Sequence, residues 1–185
     1  MVVYTACGLT RRTQVYDLLA LAVREQHGLF PLPPVDREKR GKPFFPGHPA
    51  LRFNLSHSGG LALCALDGAP VGADIQTAAP RRPAMVERCC APGERAWLAG
   101  RGDNWEDFAL LWALKEAMVK RSGRGLTAPI SAICPPLPRG DETLLERSGL
   151  FFRLYAGPGW RGAVCGCVPP PAELLWRPIP AKKNL

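Results

Sequence analysis

The stretch Leu51-Arg52-Phe53-Asn54-Leu55-Ser56-His57-Ser58-Gly59-Gly60-Leu61-Ala62-Leu63-Cys64-Ala65-Leu66-Asp67-Gly68 decides the fold. Two short apolar runs, Leu51–Leu55 and Leu61–Leu66, flank a polar segment that closes on two glycines, and Asp67-Gly68 adds a further turn signal. The pattern predicts two strands joined by a 56–60 loop. Far downstream, Phe152-Arg153-Leu154 and Gly162-Ala163-Val164-Cys165-Gly166-Cys167 repeat it loosely around Gly157-Pro158-Gly159. Each hairpin follows a long helical pattern and a loop. Two similar α+β halves packed together produce such an echo; coincidence is the other reading.

Outward from these hairpins, residues 2–6 form a short β-branched and aromatic run, a predicted strand. From Thr10 to His27 the apolar residues Val15, Leu18, Leu19, Ala22 and Val23 share one helical face, and Gly28 stops the helix. Residues 31–50 hold six Pro and two Gly and read as a loop. Val71–Gln76 is the next strand and Pro80–Pro83 a linker. Residues 84–100 read as a short helix broken at Pro92-Gly93. The helix over 103–122 is the clearest element: Asp103 is its expected N-cap, Glu106 stands three residues later, and Ser122-Gly123 ends it. The halves are expected at 1–78 and 79–168, followed by a loosely packed, Pro-rich basic tail over 169–185.

The 185 residues are 46% hydrophobic and 22% charged, which excludes intrinsic disorder and suits a single globular unit. No apolar run reaches the roughly 18–20 residues of a membrane helix, and Met1–Cys7 lacks the basic and apolar regions of a signal peptide, so a cytoplasmic protein with no membrane association is expected. The net charge of +8 attracts polyanions. Without a Lys/Arg block or a basic-aromatic motif, nucleic acid is not the expected partner. None of the seven Cys forms a C-x-x-C pair, and they read as small buried hydrophobes in a reducing compartment.

Several polar residues ask for an explanation. Glu116 falls between Trp112 and Val119 on the apolar arc of the 103–122 helix, with Lys115 near Phe108 on the other flank. A buried carboxylate needs a cation or a site; the bland account is an i, i+4 ion pair with Lys120. Asp74 is unfavourable inside a strand, and Gly72 two residues earlier permits close approach, although Asp74 at the start of a turn is the simpler account. Ser56-His57-Ser58-Gly59-Gly60 is either a plain hairpin loop or a phosphate contact. Lys42 stands on a stiff loop before Pro43, where a solvated Lys is the ordinary finding. Arg11-Arg12 opens the first helix, where cations oppose the macrodipole and a bound anion would help.

Taken together, these segments resemble the Sfp-type 4'-phosphopantetheinyl transferases. Val71-Gly72-Ala73-Asp74-Ile75-Gln76 stands where that family has a V-G-x-D-x-E-like strand, and Trp112-Ala113-Leu114-Lys115-Glu116-Ala117-Met118-Val119-Lys120 where it has W-x-x-K-E-x-x-x-K. Gly41-Lys42-Pro43-Phe44-Phe45 and Phe53–Gly59 match upstream segments in the same order, and Gly123-x-Gly125-Leu126 and Trp160–Cys167 match downstream. The resemblance covers roughly residues 11 to 168 and implies an α+β pseudo-dimer of two similar halves. It implies Mg²⁺-dependent transfer of the phosphopantetheine arm of coenzyme A to a serine of an acyl or peptidyl carrier protein, releasing adenosine 3',5'-bisphosphate. By resemblance Asp74 and Glu116 ligate Mg²⁺, with Gln76 at the third position. Glu116 also orients or deprotonates the serine, and Lys120 stabilises phosphate charge. Lys115, Lys42, Ser56 and His57 contact coenzyme A phosphates, and Arg12 reaches the 3'-phosphate. Trp112 and Phe108 read as core.

Two departures stand out. Gln76 replaces a carboxylate, and Gly8-Leu9-Thr10 replaces a longer basic segment. Together they keep open the alternative of a degenerate coenzyme A or carrier-protein binding module. A monomer is expected.

Overall fold

The computed structural model describes residues 1–80 and 83–179. The elements, in order, are β1 (Val2–Ala6), a 3₁₀ turn (Arg12–Gln14), α1 (Val15–His27), β2 (Asp36–Arg37), β3 (Pro43–Phe44), β4 (Arg52–Ser58), β5 (Leu61–Asp67), β6 (Gly72–Thr77), α2 (Pro83–Cys89), α3 (Pro92–Ala99), α4 (Trp105–Ser122), a second 3₁₀ turn (Ile130–Ala132), β7 (Leu144–Arg147), β8 (Leu150–Gly157), β9 (Trp160–Gly166) and β10 (Leu175–Trp176).

Two α+β halves share one plan. In the first, β1 pairs antiparallel with β5, which pairs antiparallel with β4; in the second, β6 pairs with β9 and β9 with β8 in the same sense. The sheets run β10-β1-β5-β4 and β6-β9-β8-β7. The helix between first strand and hairpin is α1 in one half and α4 in the other. The echoing segments of sequence are thus the β4–β5 and β8–β9 hairpins.

Alternation along the strands builds three apolar layers. Ala62, Cys64 and Leu66 of β5 face α1, meeting Leu18, Leu19, Ala22 and Val23. Leu63 and Ala65 face the other way, against Ala73, Ile75 and Val164 of the second sheet. Ala163 and Cys165 then meet Leu114 and Ala117 of α4. Helices α1 and α4 each end on a left-handed glycine, Gly28 at φ 66° and Gly123 at φ 67°, a conformation that carries little steric cost without a Cβ.

The seam between the halves is sealed by side chains. β4 and β6 are edge strands of different sheets. Asn54 Oδ1 accepts from the Ala73 N–H at 2.8 Å, Ser56 Oγ from Ile75 at 3.3 Å and Ser58 Oγ from Thr77 at 3.1 Å. Every second residue of β4 thus offers an oxygen to every second amide of β6, and neither edge is left open.

Several expectations need correction. Ser56, His57 and Ser58 belong to β4 and form no loop; the turn is Gly59-Gly60, at φ 53° and 79°, because two consecutive positive φ angles suit a tight hairpin. The N-cap of α4 is Asn104, whose side chain accepts from the Asp107 amide at 2.8 Å, while Asp103 lies outside at φ 51°. The break expected at Pro92-Gly93 falls at Cys90-Ala91 and separates two helices, α2 and α3, the second of which opens on Pro92. Strand β6, placed by the sequence in a 1–78 half, pairs into the second sheet, so the change of sheet precedes Gly72. The expected linker includes residues 81 and 82, which lie outside the described residues. The 169–185 segment is packed as far as it is described. β10 pairs parallel with β1, Tyr155 Oη donates to the Pro171 carbonyl at 2.7 Å, and Arg177 grips Glu25 at 2.9 Å. Among the described residues no helix is long and apolar enough to cross a membrane.

Candidate active site

Asp74 is the centre of the site. β6 carries it at the seam, where it is 2% exposed, so its charge needs partners. Oδ1 accepts from Ser56 Oγ at 2.6 Å and from Lys120 Nζ at 2.5 Å. Oδ2 accepts from Gln76 Nε2 at 2.7 Å. Ser56 Oγ also accepts from Lys120 Nζ, at 3.2 Å. One strand from each half and the last turns of α4 therefore converge on a single carboxylate.

Glu116 lies one turn before Lys120 on α4. Burial pushes its carboxyl pKa up; the Lys120 ammonium opposes that shift and the Asp74 carboxylate adds to it. The two acids thus feel one another across the same lysine. On the other side, His57 Nε2 accepts from Arg12 Nε at 3.2 Å. Burial, and then the Arg12 and Lys120 cations, push the His57 pKa down, which favours a neutral imidazole able to accept that bond.

Arg12, Ser56, His57, Asp74, Gln76, Glu116 and Lys120 are accordingly brought together. Two expected phosphate contacts are placed differently. Lys115 is 1% exposed; its Nζ pairs with Glu94 Oε2 at 2.7 Å and donates to the carbonyls of Ile133 at 2.6 Å and Ile130 at 3.1 Å. The expectation that it contacts phosphate is corrected: an ammonium enclosed by three protein acceptors is not presented to a ligand. Lys42 Nζ likewise donates to three backbone carbonyls, at 2.8, 2.9 and 3.1 Å. Burial pushes its pKa down, partly opposed by Glu38.

The cluster is flanked by two clefts. One, of about 330 Å³, lies between the tip of the β2–β3 hairpin and the end of α4; Lys42, Asn54, Glu116, Lys120, Gly123 and Leu126 line it. Arg40 spans its rim, donating to the Arg124 carbonyl at 2.7 Å. The other, of about 250 Å³, begins at Gln76 and Thr77 and is walled by Met85, Trp105, Phe108 and Trp112. Phe108 is buried and Trp112 half-buried, so their reading as core holds in part, since both also face this cleft. Sequence reasoning missed Asn54, Arg40 and Glu94. The signal for Glu94 is Lys115 itself, since a lysine on an apolar helix face demands an anion.

Among the described residues, no three His, Cys, Asp or Glu side chains are arranged to hold a metal ion. The available donors are the Asp74 and Glu116 carboxylates and the Gln76 amide oxygen, whose amide nitrogen is engaged by Asp74. This hard-oxygen set fits Mg²⁺, which takes one or two carboxylates and fills its shell with phosphate oxygens and water. The Lys120 ammonium neutralises Asp74, so a metal ion at this locus would share that carboxylate with it.

Comparison with known proteins agrees with this arrangement. The family model of the 4'-phosphopantetheinyl transferase superfamily matches residues 70–161, which include Asp74, Gln76, Glu116 and Lys120. A Bacillus subtilis 4'-phosphopantetheinyl transferase is 32% identical over 167 residues, covering 85% of this chain and 75% of that protein. A Bacillus pumilus 4'-phosphopantetheinyl transferase is 30% identical over 172 residues, covering 88% and 74%. The chain spans a smaller share, 62%, of the Sfp protein of B. subtilis strain 168, at 30% identity. Among solved structures, the holo-acyl-carrier-protein synthase AcpS of Thermotoga maritima overlays on 52% of this chain and 61% of its own, at 21% identity and a TM-score of 0.40, a partial likeness that adds no weight. By sequence similarity over most of its length, this chain belongs to the 4'-phosphopantetheinyl transferase superfamily of enzymes.

Proposed function

We propose that the protein transfers the 4'-phosphopantetheine arm of coenzyme A to a serine hydroxyl of an acyl or peptidyl carrier protein. The observation that carries this reading is the convergence of Asp74, Glu116 and Lys120 at the seam between the halves, with Ser56 and the Arg12–His57 pair alongside.

The reaction forms a bond from the serine oxygen to the β-phosphorus of coenzyme A. It breaks the link from that phosphorus to the bridging oxygen, and adenosine 3',5'-bisphosphate leaves. The serine proton needs an acceptor. Glu116 is suited to the task, because burial raises its proton affinity above that of an ordinary carboxylate. Lys120 and Arg12 bring positive charge to the bridging and terminal phosphate oxygens, and His57 and Ser56 supply hydrogen-bonding groups beside them. Mg²⁺, held by Asp74 and Glu116 with Gln76 or water beside them, would supply further neutralisation of pyrophosphate charge. The net charge of +8 speeds encounter with acidic carrier proteins.

The test is incubation with coenzyme A, Mg²⁺ and a panel of apo carrier proteins, read by intact mass. Gain of one phosphopantetheine arm on a carrier protein is expected; no gain on any carrier overturns the reading. One observation favours a second reading, a coenzyme A-binding module with little catalysis: Gln76 spends its amide nitrogen on Asp74 where the family pattern has a carboxylate. Binding by calorimetry without turnover would establish it, and multiple turnovers would exclude it.

A further inference from the structure

Lys42 is read by sequence as a phosphate ligand, yet its ammonium is fully occupied by the protein. The β2–β3 hairpin of the first half carries it across to the second, where Nζ donates to the carbonyls of Lys120 at 2.8 Å, Arg121 at 2.9 Å and Val71 at 3.1 Å. Three protons meet three acceptors. Two of those carbonyls close α4, where helix geometry leaves them without intrahelical partners and the helix dipole is negative. The third immediately precedes β6. The aliphatic stem lies over Gly123, the left-handed cap of α4; a Cβ there would meet Lys42 Cδ at 3.2 Å and Glu38 Oε2 at 2.9 Å.

The ammonium therefore fastens the end of α4 to the start of β6, the two elements that bring Lys120 to Asp74. Lys120 takes part twice: its carbonyl accepts from Lys42, and its own ammonium donates to Asp74 at 2.5 Å. A phosphate at Lys42 would have to draw the ammonium away and leave all three carbonyls unpaired.

We propose that Lys42 is a positioning residue that locks the last turn of α4 onto β6 and thereby sets the Asp74–Lys120 pair, and that it does not bind coenzyme A phosphate. The catalytic consequence rests on the transferase reading; the clamp itself does not.

Two experiments test it. In steady-state kinetics, Lys42→Met lowers kcat by about 10- to 100-fold, the scale expected when reacting groups are displaced by an ångström, while KM for coenzyme A stays within about threefold. A KM raised tenfold or more with kcat retained marks a phosphate ligand and overturns the proposal. Unchanged kcat and KM with only a lowered Tm marks a purely structural lysine and also overturns it. If Lys42→Met does not fold, Lys42→Gln, which keeps two donors, is read by the same criteria. The second experiment records the proton–nitrogen NMR signals of the lysine ammonium groups in the whole protein. Lys42→Gln shifts the Lys120 signal without any ligand, and coenzyme A shifts Lys120 but leaves Lys42 in place. An unmoved Lys120 signal in the variant, or a Lys42 signal displaced by coenzyme A, refutes the clamp. A wild-type protein that transfers nothing refutes the transferase reading instead, and the ligand-free NMR comparison still judges the clamp.

Discussion

Replacing Gly72 with alanine is expected to separate the two elements that make the site. A Cβ at this position would lie 1.9 Å from the Ala117 carbonyl oxygen, 2.4 Å from the Arg121 nitrogen and 2.9 Å from the Arg121 Cα, all backbone of α4. No rotamer change relieves contact with backbone. The helix must retreat by about 1.5 Å for the shortest contact to reach the 3.4 Å at which ordinary van der Waals separation begins. Overpacking of this kind costs about 1–3 kcal/mol, and here the upper half of that range applies because neither side can yield. The intrinsic gain of alanine over glycine in a strand returns about 0.5–1 kcal/mol. The net loss of about 2 kcal/mol corresponds to a fall in Tm of about 4–8 °C for a domain of this size. The functional loss is larger. Asp74 stands two residues along β6 and Lys120 one residue before Arg121 on α4, so a retreat of this size opens their 2.5 Å contact. A displacement of an ångström can cost about 100-fold in rate. Circular dichroism melting and carrier-protein modification by mass spectrometry provide the two readouts. Gly93→Ala is the control, since a Cβ there meets nothing within 4 Å; it should leave activity unchanged and leave Tm equal or slightly raised, because alanine is favoured over glycine in α3. Wild-type melting and activity in Gly72→Ala would refute the reasoning that this close approach sets the site.

Other substitutions probe the charges. Glu116→Gln should cut transfer by about 10²- to 10⁴-fold, as loss of a general base does, while raising thermal stability at neutral pH. Because the folded-state pKa of Glu116 is raised, its stabilising contribution is full below the ordinary carboxylate pKa and is lost as pH rises through the folded value. The gain from Gln therefore vanishes on acidification, and a gain that persisted in acid would contradict the assignment. Lys115→Met removes one partner of an enclosed ion pair and should destabilise by about 3–5 kcal/mol in urea unfolding. Adding Glu94→Leu recovers part of that loss, though the Ile130 and Ile133 carbonyls stay unpaired; no recovery would mean that the pair itself is not the source. Gln76→Glu exchanges an amide donor on Asp74 for a third carboxylate. In calorimetry of the protein alone, the affinity for Mg²⁺ or Mn²⁺ should rise about tenfold, and Tm without metal should fall through like-charge repulsion. Unchanged cation affinity would argue that Gln76 does not face the metal locus.

Much of the site was legible because its signals are local. The i, i+4 spacing of Glu116 and Lys120 puts both on one face of α4, and Asp74 announced itself by standing in an apolar strand after a glycine. What misled were residues whose local pattern suits two structures. Ser56-His57-Ser58 reads as a polar loop, yet it is strand, because β4 lies against the open edge of β6 and alternate oxygens are needed to meet the Ala73, Ile75 and Thr77 amides. That demand comes from a partner distant in the chain. The tail over 169–185 reads as loose for the same reason: its Pro content argues against structure until β1 offers Leu175 and Trp176 an edge to pair with.

By itself the sequence determined most of the individual strands, helices and turns, since hydrophobic periodicity and turn residues act over a few positions and survive without tertiary context; the echo of two hairpins became two α+β halves only through the strand pairing. It also determined which acids and bases were candidates. Tertiary structure alone decided which lysines serve the site. Lys42, Lys115 and Lys120 look alike in sequence, yet the first clamps carbonyls, the second pairs with Glu94 and the third faces Asp74. An ammonium takes whichever acceptors surround it, and which acceptors those are depends on how distant elements pack.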